Sequence, residues 1–459
     1  MKRFRLFFPM LIIVLSLMLV FSSMTQAAGK FDWQRYKGQK IRLLLNKHNY
    51  TEAMLADLEN FKKLTGIQVD YDIFPEENYF DKVTIDLSSG QGSYDVFMTG
   101  AYQIWEYAPP GWMEPLNKYM NDPSMTSPDW DKNDIYPNLL SADSWSLKVG
   151  DPIGTGSQWA LPWAFEANAL MYRKDLFEKF GLTPPKTLQE LYETAKKLTT
   201  AEMAGIVVRG TRNWATIHPG YMTSYASYGL KDFDKKLNPL MNSAKAVDMT
   251  DLWIKMIRDA GPKAWTTYTW YQCGSDLGAG KAAMMFDADI IGYFNDVPGS
   301  SAMAGKFAWA PGPKGPEGDL KTNMWIWSLA MNAKSKNKGP AWYFLQWATS
   351  KDHLTTSATK YAMVDPIRKS IWDNSQFKQQ LSTHTNFYDT FQQIIPGCSI
   401  QFTPQPLFFE TTTEWASTLQ DIYYQKDSTQ SALDKLVQKI KRMLLQKGIR
   451  PGQQLGKKK

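Results

Sequence analysis

Apolar positions recur along the chain with two periods, and their order predicts alternating strands and helices. Residues 40–45 form a short, nearly continuous apolar run of the kind that builds a buried strand. A helical period follows, carried by Met54, Leu55, Leu58, Phe61 and Leu64. Thr51 is predicted to cap this helix and Gly66 to end it. Residues 67–73 then alternate as a half-buried strand does, so this strand–helix–strand unit predicts a parallel sheet with ligands at the carboxyl ends of its strands.

The same two periods continue to the end of the chain. They predict helices at 78–87, 243–259 and 340–348, and strands at 94–98, 169–172 and 205–208. Thr187 and Glu190 have the spacing of a capping box at the start of another helix. The last predicted helix has one apolar face, formed by Leu433, Leu436, Val437, Ile440, Met443 and Leu444. Strands and helices that alternate in this way indicate an α/β fold.

Residues 1–27 have the layout of a secretory signal peptide. Lys2, Arg3 and Arg5 precede an apolar run over residues 6–21, and the small residue Ala27 ends the segment. That run is shorter than the roughly 20 residues of a membrane span, although an uncleaved membrane anchor remains the alternative. No cysteine lies directly after the apolar run, which excludes lipid attachment at a new N-terminal cysteine. We therefore expect an exported protein, in the periplasm or at the extracellular face of the cell membrane.

Composition is that of a globular protein large enough for two domains. The 459 residues are 43% hydrophobic and 21% charged, with aromatic residues at 14%. The net charge of +7 falls by three when the basic residues of the signal peptide are removed. A charge this mild does not indicate a nucleic-acid partner.

Two motifs raise the question of a cofactor or a covalent cross-link. Gly280-Lys281 could belong to a phosphate-binding loop, but Ser275 and Ala282 stand where that loop requires Gly and Ser or Thr. We therefore expect no nucleotide, and nothing else in the sequence indicates a cofactor or a metal. Export permits a disulfide between Cys273 and Cys398, and the sequence leaves their pairing open.

The stretch at residues 157–177 places a carboxylate in apolar company. Glu166 follows Trp163 and Phe165, and a buried carboxylate costs free energy unless a polar group meets it. A salt-bridged strand glutamate and a ligand contact both fit this observation. The stretch also resembles the interlobe crossing of the extracellular solute-binding proteins that feed ABC sugar importers. The segments at 94–120, 278–286 and 323–327 resemble further motifs of that family, in the right order.

This resemblance implies an α/β chain with the two-lobed periplasmic-binding-protein fold, type II-like and similar to maltose-binding protein. The ligand cleft lies between lobes joined by two or three hinge crossings and closes on its ligand. The expected first lobe comprises residues 28–163 and 314–364, and the second lobe comprises residues 164–313 and 365–459. The segment at 314–330 is expected to cross back to the first lobe. The expected partners are the membrane permease subunits of an ABC transporter, with the protein itself a monomer.

The same resemblance, with the residue types available, predicts a neutral carbohydrate or polyol as ligand. Hydroxyl groups need polar partners, and the CH faces of sugars pack on aromatic rings. The predicted ligand-binding residues are Asn46, His48, Asp95, Thr99, Tyr102, Trp163, Glu166, Arg212, Trp214, Asp289, Asn323, Trp325, Trp327 and Arg368. Phosphorylated ligands favour several cleft arginines, and Arg212 is the one obvious candidate. The alternative for the tryptophans is that half of them belong to the core between the lobes.

Two other functions stay open at the level of sequence. An exported glycoside hydrolase needs two carboxylates across a sugar ring, and Glu166 with Asp287 or Asp289 could form such a pair. The sequence has no GxSxG or HExxH motif, so we expect a binding protein rather than an enzyme. A ligand carrier for a chemoreceptor shares the fold, and a neighbouring pair of permease genes would separate it from a transport component.

Overall fold

The core of the protein is two β-sheets that share one long strand. The computed structural model describes residues 30–452, so the predicted signal peptide and the basic residues 457–459 lie outside the described residues. The strands are β1 (Lys40–Asn46), β2 (Gln68–Phe74), β3 (Val96–Thr99), β4 (Ser144–Trp145), β5 (Ser157–Gln158), β6 (Ala160–Arg173), β7 (Met284–Ala288), β8 (Phe307–Pro311) and β9 (Met324–Met331). β4 and β5 form a separate small hairpin.

The first sheet has the strand order β2-β1-β3-β9-β6. β1 is parallel to both β2 and β3, which confirms the parallel unit predicted from the start of the chain. β9 enters between β3 and β6 and is antiparallel to both. Residues 324–331, which the sequence analysis assigned to a crossing, are therefore a central strand of the first sheet.

The shared strand β6 carries the chain from one lobe to the other. Its first half pairs with β9 as far as Ala167, and its second half pairs with β7 from Asn168 onward. β8 lies on the other side of that second half. The register of β6 shifts between Pro162 and Ala164, where proline lacks the N–H that a regular ladder needs. The result is the two-lobed α/β fold, with one crossing inside a single continuous strand.

Helices cover both sheets. They are α1 (Asn49–Ala56), α2 (Leu58–Thr65), α3 (Glu76–Ser89), α4 (Ala101–Tyr107), α5 (Asn117–Met120), α6 (Pro137–Ala142), α7 (Lys174–Phe180), α8 (Leu188–Leu198), α9 (Gly220–Ser227), α10 (Ala244–Ala260), α11 (Trp270–Gly278), α12 (Asp289–Asp296), α13 (Lys338–Ala348), α14 (Lys351–Lys360), α15 (Lys369–Trp372), α16 (Ser375–Leu381), α17 (Phe387–Ile394), α18 (Phe408–Tyr423) and α19 (Thr429–Gln446). Short 3-10 turns occur at Pro128–Trp130, Lys132–Asp134, Trp214–Thr216, Trp265–Thr267 and Ile395–Gly397. Within residues 30–452, no helix is both long and apolar enough to cross a membrane.

Local structure departs from the sequence prediction where a side chain has a tertiary partner. The helix predicted over residues 54–64 is two helices that meet at Asp57, whose carboxylate contacts His353 Nδ1 at 2.7 Å. His48, rather than Thr51, caps the first of them. Residues 205–208 do not form a regular strand: Val207 makes an isolated bridge to Met285, and Ala204 before it makes one to Ala282.

The predicted capping box at Thr187 forms only in part. The Thr187 hydroxyl accepts from the Glu190 N–H at 3.2 Å, as the motif requires. The Glu190 carboxylate instead accepts from the N–H of Lys186 at 2.7 Å. Gly66 ends α2 as predicted, in the left-handed conformation that glycine adopts readily.

The two cysteines are free thiols. Cys273 lies in α11 and Cys398 follows a short 3-10 turn, and both are buried. The disulfide that export would permit is therefore not formed in this structure.

Candidate ligand-binding site

Three carboxyl groups meet where the chain crosses between the lobes, and we call Glu166, Asp289 and Asp365 the hinge carboxyl cluster. Glu166 lies on β6, and Asp289 begins α12 directly after β7, the strand that pairs with the second half of β6. Asp289 Oδ1 accepts from the backbone N–H of Ala167 at 3.1 Å. The carbonyl oxygen of Asp365 accepts from the N–H of Phe165 at 3.4 Å. Backbone contacts to β6 therefore fix two of these residues beside the third.

Burial and mutual repulsion make two members of the cluster weak acids. Asp365 is fully buried, and burial together with the Asp289 charge holds its pKa well above the usual range. Burial and the Glu166 charge raise the pKa of Asp289 to about 8. Each of these two carboxyl groups influences the pKa of the other, so the two lie close together. Tyr50 also donates its hydroxyl to Asp365 Oδ2, at 3.4 Å.

This arrangement makes stability depend on pH in a defined direction. An acid whose pKa is higher in the folded state keeps its proton while the unfolded chain ionises, so stability falls as pH rises. For Asp289 that loss begins near the unfolded value of about 4 and is complete above the folded value of about 8. We expect the melting temperature of the ligand-free protein to fall over this window, and Asp289→Asn to weaken the dependence. Thermal unfolding across a pH series measures both slopes, and equal slopes would contradict this assignment.

Glu166 is the most accessible carboxylate of the cluster and borders an aromatic wall. Its Oε1 accepts from Trp327 Nε1 at 2.8 Å and lies 3.5 Å from His48 Nε2, with 12% of the Glu166 side chain exposed. The Trp327 ring is stacked on Phe80, with ring centroids 6.4 Å apart, and Trp325 meets Trp327 edge to face at 5.1 Å. A carboxylate beside tryptophan rings can bind both the hydroxyl groups and the CH groups of one ligand.

Several buried polar atoms at these crossings have no hydrogen-bond partner within the described part of the chain. They include both side-chain amide atoms of Asn46, at the carboxyl end of β1, and the indole N–H of Trp163. Trp325 Nε1 is also without a partner among residues 30–452. Buried polar groups are normally hydrogen-bonded, so unpaired donors and acceptors in a cleft are candidates for ligand contacts.

An ion pair lies next to the hinge carboxyl cluster in the second lobe. Arg209 binds Asp287 through two hydrogen bonds of 2.8 and 2.6 Å, and the Asp287 side chain is fully buried. Both oxygens of Asp287 are therefore engaged by the guanidinium group. Asp287 is not a free partner for Glu166 in a hydrolytic carboxylate pair.

Aromatic residues also connect the lobes farther along the cleft. Tyr102, on α4 of the first lobe, stacks on Phe408, on α18, with centroids 4.4 Å apart and planes 10° apart. Trp214 packs against Trp325 at 5.4 Å. Asn323 donates its amide to the carbonyl oxygen of His218 at 2.7 Å and to the Tyr102 hydroxyl at 3.2 Å.

His218 belongs to the same region and is uncharged. Burial and the nearby Arg209 charge lower its pKa to about 3, and its Nε2 lies 3.2 Å from the carbonyl oxygen of Met324. The His218 ring meets the Tyr102 ring edge to face at 5.5 Å. A neutral histidine adds no positive charge to this part of the cleft.

Two further predicted ligand residues lie at the ends of β3. Asp95 precedes β3, whereas Thr99 ends it, so the two lie at opposite ends of the strand. The Asp95 carboxylate accepts from the backbone N–H of Arg42 at 2.9 Å and from the Ser335 hydroxyl at 2.6 Å. Thr99 is buried at the carboxyl end of β3.

The two predicted arginines are likewise engaged elsewhere. Arg368 is fully buried and donates to the carbonyl oxygens of Thr349 and Trp130 at 2.7 and 2.6 Å. Arg212 donates to Gln420 Oε1 at 2.8 Å, with 54% of its side chain exposed. Neither guanidinium group is directed to the hinge carboxyl cluster, because each is held by these partners.

Sequence reasoning missed Asp365, Tyr50 and Arg209. Asp365 interrupts an apolar run and precedes Pro366, a pattern that resembles the acidic residue in apolar company at Glu166. Its role depends on a third crossing that brings it to β6, which periodicity does not reveal. Within residues 30–452, no group of three or more His, Cys, Asp or Glu side chains has an arrangement suited to a metal ion.

Two lobes joined by a shared strand, with unpaired polar groups at the crossing, define a protein that encloses a small solute. The chain belongs to the bacterial extracellular solute-binding protein family, whose sequence pattern matches residues 47–353. It is 43% identical over 405 residues to an erythritol/L-threitol-binding protein of Mycolicibacterium smegmatis, spanning 87% of this chain and 85% of that protein.

Solved structures agree with this fold. A solute-binding protein of Agrobacterium radiobacter in complex with ribitol superposes with a TM-score of 0.77 at 23% identity, covering 89% of this chain and 99% of that one. One from Agrobacterium vitis with bound D-mannitol has a TM-score of 0.74 at 25% identity, with coverages of 89% and 99%.

Proposed function

We propose that the protein captures a short acyclic polyol at the hinge carboxyl cluster and delivers it to the permease subunits of an ABC importer. The observation that carries this proposal is the grouping of Glu166, Asp289 and Asp365 beside Trp327 and His48. An acyclic polyol has a hydroxyl on every carbon and therefore needs many donors and acceptors in a small volume. Carboxylates accept strongly from hydroxyl groups, and the protonated carboxyl can also donate.

The charge of the site favours an uncharged ligand. Within the hinge carboxyl cluster, Glu166 contacts Trp327 and His48. The nearby Arg209 is neutralised by Asp287. A phosphate or a sugar acid would meet repulsion from the carboxyl groups without a free arginine to offset it. The erythritol/L-threitol-binding relative at 43% identity supports the four-carbon class, and the mannitol-bound structure supports polyols more generally.

The remaining parts of the proposal follow from the family and from the sequence. The N-terminal segment supports export to the periplasm or to the outer face of the membrane. We propose a non-catalytic monomer, as the match to a family of solute-binding proteins suggests. Of the two carboxylates that could pair with Glu166 in hydrolysis, Asp287 is bound to Arg209. A chemoreceptor carrier would bind the same ligand without permease genes beside its own gene.

Calorimetric titration of the purified mature protein tests the ligand class. The panel is erythritol, L-threitol, ribitol, D-mannitol and maltose, each checked by the rise in melting temperature that binding to the folded state produces. We expect the four-carbon polyols to bind most tightly and to be recovered chemically unchanged. Tighter binding of maltose than of every polyol, or conversion of the bound polyol, would contradict the proposal.

A further inference from the structure

Four aromatic side chains close the cleft beyond Trp327, and we call Tyr102, Trp214, Trp325 and Phe408 the interlobe aromatic cluster. Tyr102 and Trp325 belong to the first lobe, on α4 and β9. Phe408 begins α18, and Trp214 begins the 3-10 turn that packs against α18. The Tyr102–Phe408 stack and the Trp214–Trp325 contact therefore each join one lobe to the other.

This cluster is packed rather than adjustable. Tyr102 is fully buried, Phe408 is 2% exposed, and the Phe408 ring also meets Trp105 and Phe402 edge to face at 5.3 and 5.1 Å. Gly100 lets Trp325 approach the backbone, because a Cβ at this position would lie 2.6 Å from Trp325 Cη2. Close packing of this kind leaves no room for a ligand without side-chain displacement.

One aromatic ring, that of Trp327, separates the interlobe aromatic cluster from the hinge carboxyl cluster. Glu166 is hydrogen-bonded to Trp327, whose ring centroid is 5.1 Å from that of Trp325. Trp325 in turn lies 5.4 Å from Trp214 and 5.7 Å from Tyr102. A ligand that is held by Glu166 and extends past Trp327 therefore meets Trp325, Trp214 and Tyr102 in succession.

We propose that the interlobe aromatic cluster sets the length of the ligand, by filling the part of the cleft that a second sugar ring or a longer polyol chain would need. This inference rests on the proposed function, because it assumes that Glu166 marks the ligand end of the cleft. Phe408 is the specificity-determining residue that the sequence did not indicate, since its ring holds Tyr102 in place from the opposite lobe. Removing one ring from the cluster should then admit larger ligands.

The test compares the affinities of wild-type protein and variants for erythritol, D-mannitol and maltose by calorimetry. Phe408→Ala removes the buried ring, and Trp214→Ala removes a half-buried ring from the same cluster at a smaller risk to folding. Trp112→Ala is the matched control, because it also removes a half-buried tryptophan ring, one that packs on Tyr107 outside the cluster. We expect the maltose-to-erythritol affinity ratio to rise about tenfold or more in at least one of the Phe408→Ala and Trp214→Ala variants and to stay at the wild-type value in Trp112→Ala.

Unchanged ratios in both Phe408→Ala and Trp214→Ala, shown to be folded by their melting curves, would overturn the inference. A ratio that rises equally in Trp112→Ala would also overturn it, since that result would assign the change to a general loosening of the fold. Failure of the proposed function has a different signature. In that case the wild-type protein itself would bind no polyol, or would bind maltose more tightly than erythritol, before any ring is removed.

Discussion

Glu166→Gln is expected to weaken polyol binding by about tenfold to a hundredfold. Glutamine keeps the oxygen that accepts from Trp327 Nε1 at 2.8 Å, but it loses the charge and replaces the second acceptor oxygen with a donor. A hydrogen bond from a ligand hydroxyl to a charged acceptor contributes about 1.5–3 kcal/mol. Each loss of about 1.4 kcal/mol weakens binding tenfold, so losing this hydrogen bond gives the expected loss of affinity. Calorimetric titration with erythritol measures it directly.

A matched variant separates the loss of a ligand contact from a general effect of losing a buried carboxylate. Glu114 is also buried in the first lobe, but it is paired with Lys338 at 2.7 Å and lies outside the candidate site. Glu114→Gln should leave erythritol affinity within about twofold of wild type, because Glu114 contacts no proposed ligand group. Suppose instead that Glu166→Gln lowers the melting temperature of the ligand-free protein and leaves its affinity unchanged. Glu166 would then be a structural residue, and the assignment of the site would be wrong.

The largest effect on folding is expected from Arg209→Met. This change leaves the Asp287 carboxylate buried at 0% exposure without the guanidinium group that it binds at 2.6 and 2.8 Å. Removing one partner of a buried ion pair typically costs about 3–5 kcal/mol, because the remaining charge is not solvated. Denaturant unfolding of the ligand-free protein should therefore show a loss of this order.

Two further variants make the cause of that loss testable. Lys245 and Glu317 form a pair of similar length, 2.7 Å, whose side chains are 41% and 63% exposed. Lys245→Met should change the free energy of unfolding by less than about 1 kcal/mol, since water solvates both charges. The double variant Arg209→Met with Asp287→Leu should recover much of the stability, because no unpaired charge remains. A loss in Arg209→Met no larger than in Lys245→Met would contradict this account.

The parts of the fold that depend on local pattern could be predicted from the sequence. The apolar run at β1 and the alternation in β2 predicted a parallel pair, and the register from Lys40 and Gln68 onward confirms it. The family resemblance placed residues 314–330 in a crossing and likened residues 323–327, within it, to a cleft segment. In the structure that segment is also a strand, because its backbone pairs with both β3 and β6. A sequence motif can identify a cleft-lining segment without revealing the hydrogen bonds that its backbone makes.

The sequence predicted those residues of the candidate site that stand out within their own segment of the chain. Glu166 and Trp327 were both chosen from their own segments, and the structure joins them by a hydrogen bond across paired strands. Asp365 was missed because its importance comes from Asp289, a residue 76 positions earlier in the chain. Asp95 was named among the cleft residues, but it lies at the end of β3 that is opposite to Thr99. The sequence pattern does not reveal which end of a strand faces the cleft or which segments meet there, because both depend on the tertiary structure.

Diffraction from crystals of the protein with bound erythritol tests the central claim most directly. The account predicts the polyol between the lobes, with a hydroxyl oxygen within about 3 Å of a Glu166 carboxylate oxygen. Further hydroxyl groups should contact Asp289 or Asp365, and the carbon chain should lie against Trp327. A polyol bound elsewhere, or one in the cleft whose hydroxyl groups contact none of these three carboxyl groups, would contradict the account.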